Sequence, residues 1–208
     1  MNAILVHGMG RTPLSLLVLA KRLRRQGFVT HLFAYSIFQP FSSSVARLDS
    51  RVQTLSADEP FVLIGHSLGC VLIRAVLPRL EPIRPVACFL LAPPSKVTKA
   101  ARFFAKNSLY RFLARECGQL LIDERFMESL GMPTVPVRVY SGIAGYKGRF
   151  SPFKQEDNDG ILAVSETQLN SGDVVRVPAI HTFIMNSDLV FRDIAVTTAS
   201  LRNVGATL

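Results

Sequence analysis

Apolar residues follow two rhythms along this chain. Short unbroken runs at Ala3-Ile4-Leu5-Val6, Phe61-Val62-Leu63-Ile64 and residues 86–91 have the form of parallel strands buried on both faces. Residues 28–34, 137–140 and 173–177 add three more strand-length segments. Between them the rhythm changes to helical spacing. Leu14, Leu17, Ala20 and Leu23 share one face of a helix that Thr12 can cap, Pro13 can start and Gly27 can close. Val45, Leu48, Val52 and Leu55 mark a second helix over 43–55 with serines available as caps, and residues 68–77 a third, apolar but for Arg74 and stopped by Pro78. A last helix is expected over 187–202, capped by Asn186 or Ser187.

Strands alternating with helices predict an α/β fold: about six mostly parallel strands with helices on both faces. Residues 95–131 break this alternation. They are rich in Ala, Phe, Leu and Arg, and are expected to form short helices of a small cap inserted between strands. The stretch 142–160, with four glycines and mixed charge, is the longest irregular segment and a natural home for function.

Composition narrows the picture. At 208 residues, 49% of them hydrophobic, the chain can bury one full core, so a single domain over residues 1–208 is expected. No apolar run approaches the roughly 18 to 20 residues of a membrane span. The N-terminus lacks the basic and apolar regions of a signal peptide. A soluble, cytoplasmic protein is the expectation. Three cysteines without CxxC spacing and four histidines without HExxH spacing predict buried thiols, no metal and no cofactor. The net charge of +9 is concentrated in residues 11–25 and 96–115, which carry five and six basic residues and no acid. Such stretches suit either solvated helix faces or contact with an anionic membrane surface. No basic-aromatic interleaving points to nucleic acid.

The candidate chemistry starts at Gly65-His66-Ser67-Leu68-Gly69, a G-x-S-x-G pentapeptide joining a buried strand to an apolar helix. In that setting the serine is lifted above the sheet on a sharp turn, and only residues lacking a β-carbon let strand and helix approach so closely. A serine hydroxyl needs a base to become a nucleophile, and that base needs a carboxylate to orient it. The order serine, acid, histidine leaves His181 as the base, because it is the only histidine C-terminal to Ser67. His7 precedes the serine, His31 lies within a strand, and His66 is constrained as the neighbour of Ser67. Candidate acids are Glu156, Asp157, Asp159, Glu166 and Asp173. Asp159, in a turn before Gly160 and an apolar run, is preferred, with Asp157 the competitor. Backbone N–H groups of Met9, in His7-Gly8-Met9-Gly10 after the first strand, and of Leu68 are positioned to form an oxyanion hole.

Four segments in this order, Ile4-Leu5-Val6-His7-Gly8-Met9-Gly10, Gly65-His66-Ser67-Leu68-Gly69, Asn158-Asp159-Gly160-Ile161 and His181, resemble the small bacterial lipases and esterases of the α/β-hydrolase superfamily. The resemblance implies that the Asn-Asp-Gly turn carries the acid, which favours Asp159. It also implies a minimal version of the fold lacking the family's two N-terminal strands. The chain departs from the pattern at Arg11, where many lipases have a small residue, so a more polar entrance to the acyl pocket is expected there. Matching calcium-site carboxylates are absent.

The expected activity is hydrolysis of a small-molecule or lipid carboxylic ester through Ser67. Thioester hydrolysis by the same residues and a non-catalytic, basic surface-binding role are the alternatives. Arg11, Phe103 and Phe104 are candidate substrate contacts, although a Phe-Leu pattern at helical spacing equally suits a core.

Overall fold

The computed structural model describes residues 1–55, 59–98, 116–169 and 174–205, with side chains through residue 201. Six strands form one sheet: β1 (Asn2–Val6), β2 (Val29–Phe33), β3 (Phe61–His66), β4 (Ala87–Leu91), β5 (Val137–Gly142) and β6 (Val174–Val177). Their spatial order is β2-β1-β3-β4-β5-β6 and every pairing is parallel. Packed around the sheet or following it are helices α1 (Leu17–Arg25), α2 (Phe41–Gln53), α3 (Leu68–Val76), α4 (Glu124–Ser129) and α5 (Asp188–Gly205). This six-stranded parallel sheet covered by helices is the expected α/β-hydrolase architecture.

Alternation along the buried strands explains why both faces carry helices. Ile4, Val6, Leu63 and Leu90 point to one side, where Val45, Leu48 and Val52 of α2 and Leu72 and Val76 of α3 cover them. Ala3, Leu5, Ile64 and Phe89 point to the other, against Leu19, Ala20 and Leu23 of α1 and Val190 and Ile194 of α5. Each fully buried Leu or Ile contributes about 1.5–3 kcal/mol relative to exposure. A strand with such residues on both faces therefore has no stable place at the surface.

Parallel pairing brings the C-terminal ends of all six strands to one edge. The chain leaves β1 for α1 on one face and leaves β3 for α3 on the other. The crevice between these two strands is thus a topological switch point, the position where open α/β sheets bind ligands.

Some local expectations are corrected. Thr12 has the extended backbone of a cap residue but makes no side-chain cap hydrogen bond. Pro13–Leu16 form a 3-10 turn instead, and α1 proper starts at Leu17. The second helix begins two residues earlier than 43, after Pro40, so its serines lie within the helix rather than capping it. Of the proposed cap at 95–131, residues 116–120 and α4 are helical, and Asp123 accepts a hydrogen bond from the Phe126 N–H at the start of α4. Residues 99–115, including Phe103 and Phe104, and residue Asp173 lie outside the described residues. The three cysteines are buried free thiols. Among the described residues no helix is long and apolar enough to cross a membrane, and no cluster of three His, Cys, Asp or Glu is placed to hold a metal.

Candidate active site

The turn after β3 is tight for identifiable reasons. Ser67 adopts φ 52° and ψ −120°, a conformation L-residues avoid and one that persists only when its surroundings impose it. The Ser67 N–H donates to the Leu91 carbonyl at 2.9 Å, and the Ser67 carbonyl accepts from the Cys70 N–H at 2.9 Å as α3 begins. A β-carbon at Gly65 would lie 2.8 Å from Ile73 Cδ1, and one at Gly69 would run into the Val6 and His7 carbonyl oxygens. The two glycines of the pentapeptide are therefore demanded by the approach of α3 to β1 and β3.

His181 stands directly over this turn. Its Nε2 is 3.0 Å from Ser67 Oγ and its Nδ1 is 2.7 Å from Asp159 Oδ2. With Nδ1–H donating to the carboxylate, Nε2 is left to accept from the serine hydroxyl. The other carboxylate oxygen, Asp159 Oδ1, accepts from the Ile161 and Leu162 N–H groups at 2.9 and 2.7 Å. The His181 N–H also donates to the Asp159 carbonyl at 2.9 Å, tying the two loops together. Asp159 is buried, and the His181 side chain keeps 12% of its surface. The turn itself is held by Asn158, whose Oδ1 accepts from the Gly160 N–H and whose Nδ2 donates to the Tyr146 and Glu156 carbonyls.

The other candidate acids are engaged elsewhere. Asp157 pairs with Lys147 and with Arg176 at 2.7 Å. The hydrogen bond from Lys147 and the charge of Arg176 hold its carboxyl below the usual range. The Glu166 side chain accepts from the Ala163 N–H, and that of Glu156 from the Ser165 N–H.

His66, set aside on sequence, turns out to support the site. Its ring is buried, 5.0 Å from that of His181, and its Nε2–H donates to the His181 carbonyl at 3.0 Å. Burial, reinforced by the neighbouring His181, pushes its pKa well below the ordinary value and keeps it neutral. A histidine where the strand pattern calls for another apolar residue was the available signal. His7 has a comparable role one strand away. It stacks on Tyr35 with ring centroids 4.4 Å apart, while the Tyr35 hydroxyl donates to the His7 carbonyl at 2.9 Å, anchoring the loop after β1.

Ser67 and His181 open onto a cleft of about 680 Å³. Met9 and Arg11 line it from the loop after β1, and Ile161 and Leu162 from the turn after β5. Leu68 is buried as the first residue of α3, so its N–H precedes any possible intrahelical acceptor. A β-carbon at Gly8 would lie 2.8 Å from His66 Nδ1, so the Met9 loop can sit this close to the serine turn only with glycine there.

A parallel α/β sheet with a strained serine at its switch point defines a class, and the sequence model of that class agrees. The chain belongs to the alpha/beta hydrolase family, whose model matches residues 3–183. Its fold is similar to that of Bacillus licheniformis lipase BlEst2 in mature form, with TM-score 0.76 and 15% identity, covering 96% of this chain and 91% of that one. It is also similar to phospholipase PlaB from Legionella pneumophila, with TM-score 0.63 and 16% identity, covering 82% of this chain and 45% of that one. The Vlm2 thioesterase domain is a third, with TM-score 0.56 and 20% identity, covering 94% and 90%. No curated protein matches the chain.

Proposed function

We propose that this protein is a serine hydrolase that cleaves carboxylic esters by two-step acyl transfer. The observation that carries this reading is the continuous hydrogen-bonded series Ser67 Oγ, His181 Nε2, His181 Nδ1, Asp159 Oδ2, with links of 3.0 and 2.7 Å. Ser67 Oγ attacks the ester carbonyl carbon while His181 Nε2 takes the hydroxyl proton. Asp159 holds the imidazolium that forms. The negative oxygen of the tetrahedral intermediate is met by the Met9 and Leu68 N–H groups. Collapse expels the alcohol, which receives the proton from His181 and leaves an acyl group on Ser67. Water, deprotonated by His181, then attacks the acyl carbon, and the carboxylic acid departs as Ser67 regains its proton. No cofactor enters this cycle.

A lipase and a phospholipase among the similar folds support a lipid or other ester substrate. The thioesterase domain supports a thioester as the second reading, since the same residues serve both leaving groups. The test is to incubate the protein with a fluorophosphonate probe and with p-nitrophenyl esters of graded chain length, beside Ser67→Ala and His181→Ala. Labelling of Ser67 alone is expected, with turnover falling about a thousandfold or more in each variant. A folded native protein that neither labels nor turns over any ester would exclude the reading, and binding to anionic vesicles that survives Ser67→Ala would favour a non-catalytic role.

A further inference from the structure

We infer that the substrate is an ester carrying an anionic group, carboxylate or phosphate, which Arg11 binds on the side of the reacting carbonyl opposite the substrate's hydrocarbon part. The inference rests on the hydrolase reading above and names the substrate class for that site. It starts from how the cleft divides. The loop after β1 contributes Arg11 and Thr12 beside Met9, whereas Pro94, Thr98, Leu121, Ile161 and Leu162 come from the segments after β4 and β5. In the strand order these two groups flank β3, whose end carries Ser67. A molecule with its carbonyl at Ser67 therefore has a side that carries the cation Arg11 and a side that is mostly hydrocarbon.

Arg11 stands on a defined turn and, among the described residues, has no partner of its own. Gly10 before it takes φ +66°, and Thr12 after it is extended and leads into Pro13, which pins the root of the arginine beside Met9. Its side chain is half-buried and, among the described residues, makes no ion pair or hydrogen bond. Arg22, Arg138 and Arg176, by contrast, each hold an aspartate. Among the described residues no Asp or Glu lines the cleft, and residues 99–115 contain none in their sequence. The charge of Arg11 is felt within the site. After burial and the His181 ring, it is among the influences keeping His66 neutral. An unpaired guanidinium beside a reacting centre presents a planar fork of donors that matches carboxylate or phosphate oxygens, which a neutral ester would leave unused.

The experiment compares matched esters by titrating the acid released. One pair is O-butanoylglycerol 3-phosphate against O-butanoylglycerol, and the other is monobutyl succinate against butyl butanoate. The native protein is expected to prefer the anionic member of at least one pair by about tenfold in kcat/KM. Which pair shows it tells whether a phosphate on the alcohol or a carboxylate on the acyl group is recognised. Arg11→Met should abolish the preference and Arg11→Lys should keep part of it. The ratio within a pair cancels any general loss of activity. Turnover of neutral esters with no anionic preference, or a preference unchanged in Arg11→Met, overturns this inference alone. Absence of both turnover and fluorophosphonate labelling overturns the hydrolase reading and this inference with it.

Discussion

Two aspartates, two positions apart, have opposite surroundings. Asp157 faces Lys147 and Arg176 in an open ion-pair cluster. Asp159 is enclosed, with two backbone N–H groups on one oxygen and His181 on the other. Of the two, only Asp159 touches the imidazole, through His181 Nδ1. Asp159→Asn should therefore lower kcat on a p-nitrophenyl ester by about 10³ to 10⁴, since an amide can donate to Nδ1 and favour the wrong tautomer. Asp157→Asn should stay within about threefold of the native rate, as expected for a partly exposed charge cluster of small energetic weight. Equal losses in steady-state assays of the two variants would remove Asp159 from its proposed role. Spacing in the sequence did not separate the two residues. The Asn-Asp-Gly turn favoured Asp159, and the structure supplies the reason: Asn158 and Gly160 close a turn that aims the next carboxylate inward. His66 was overlooked because its partner is a main-chain carbonyl 115 positions away, which no side-chain pattern reveals.

At the scale of elements, strands were easier to read than helix starts, for a physical reason. A strand buried on both faces needs an unbroken apolar run, so β1, β3 and β4 announce themselves. A helix start depends on backbone geometry that several sequences share. The Thr-Pro pair before α1 yields a 3-10 turn, and α2 starts after a proline rather than at a serine. The apolar character of α3 was legible, but its closeness to β1 was not, because that contact depends on the absence of an atom at Gly69. Gly69→Ala puts a methyl group into two rigid main-chain carbonyls, where no side chain can move aside. Overpacking against side chains typically costs about 1–3 kcal/mol. Here the cost should reach about 3 kcal/mol or more, read as a lower urea midpoint. Ester turnover should fall too, since the same shift moves the Met9 loop away from Ser67. A Gly69→Ala variant with native stability and activity would mean that α3 and β1 are not so tightly joined.

For the whole molecule, burying neutral histidines makes stability depend on pH. Burial lowers the pKa of His66 and His7 beneath the ordinary value of 6.5 in the folded chain, whereas unfolding restores it. Above about pH 7 both states hold these rings neutral and no difference arises. Below 6.5 the unfolded chain binds protons that the folded chain refuses, so stability falls as pH falls. Each such histidine contributes a slope approaching about 1.4 kcal/mol per pH unit, until the pH reaches its folded-state pKa. His31 is also lowered, by partial burial and then by Arg51, but its openness makes its share smaller. Self-repulsion in a chain of net charge +9 acts in the same direction as carboxylates become protonated. Urea unfolding at pH 7.5, 6.5 and 5.5 should show a plateau followed by a decline. His66→Gln, whose amide can still donate to the His181 carbonyl, should flatten that decline by the slope of one histidine even if it starts from lower stability. An identical pH slope in the native and His66→Gln proteins would mean that His66 is protonated in the folded state. Its ring would then bring a positive charge beside His181, where the proposed base has to accept a proton.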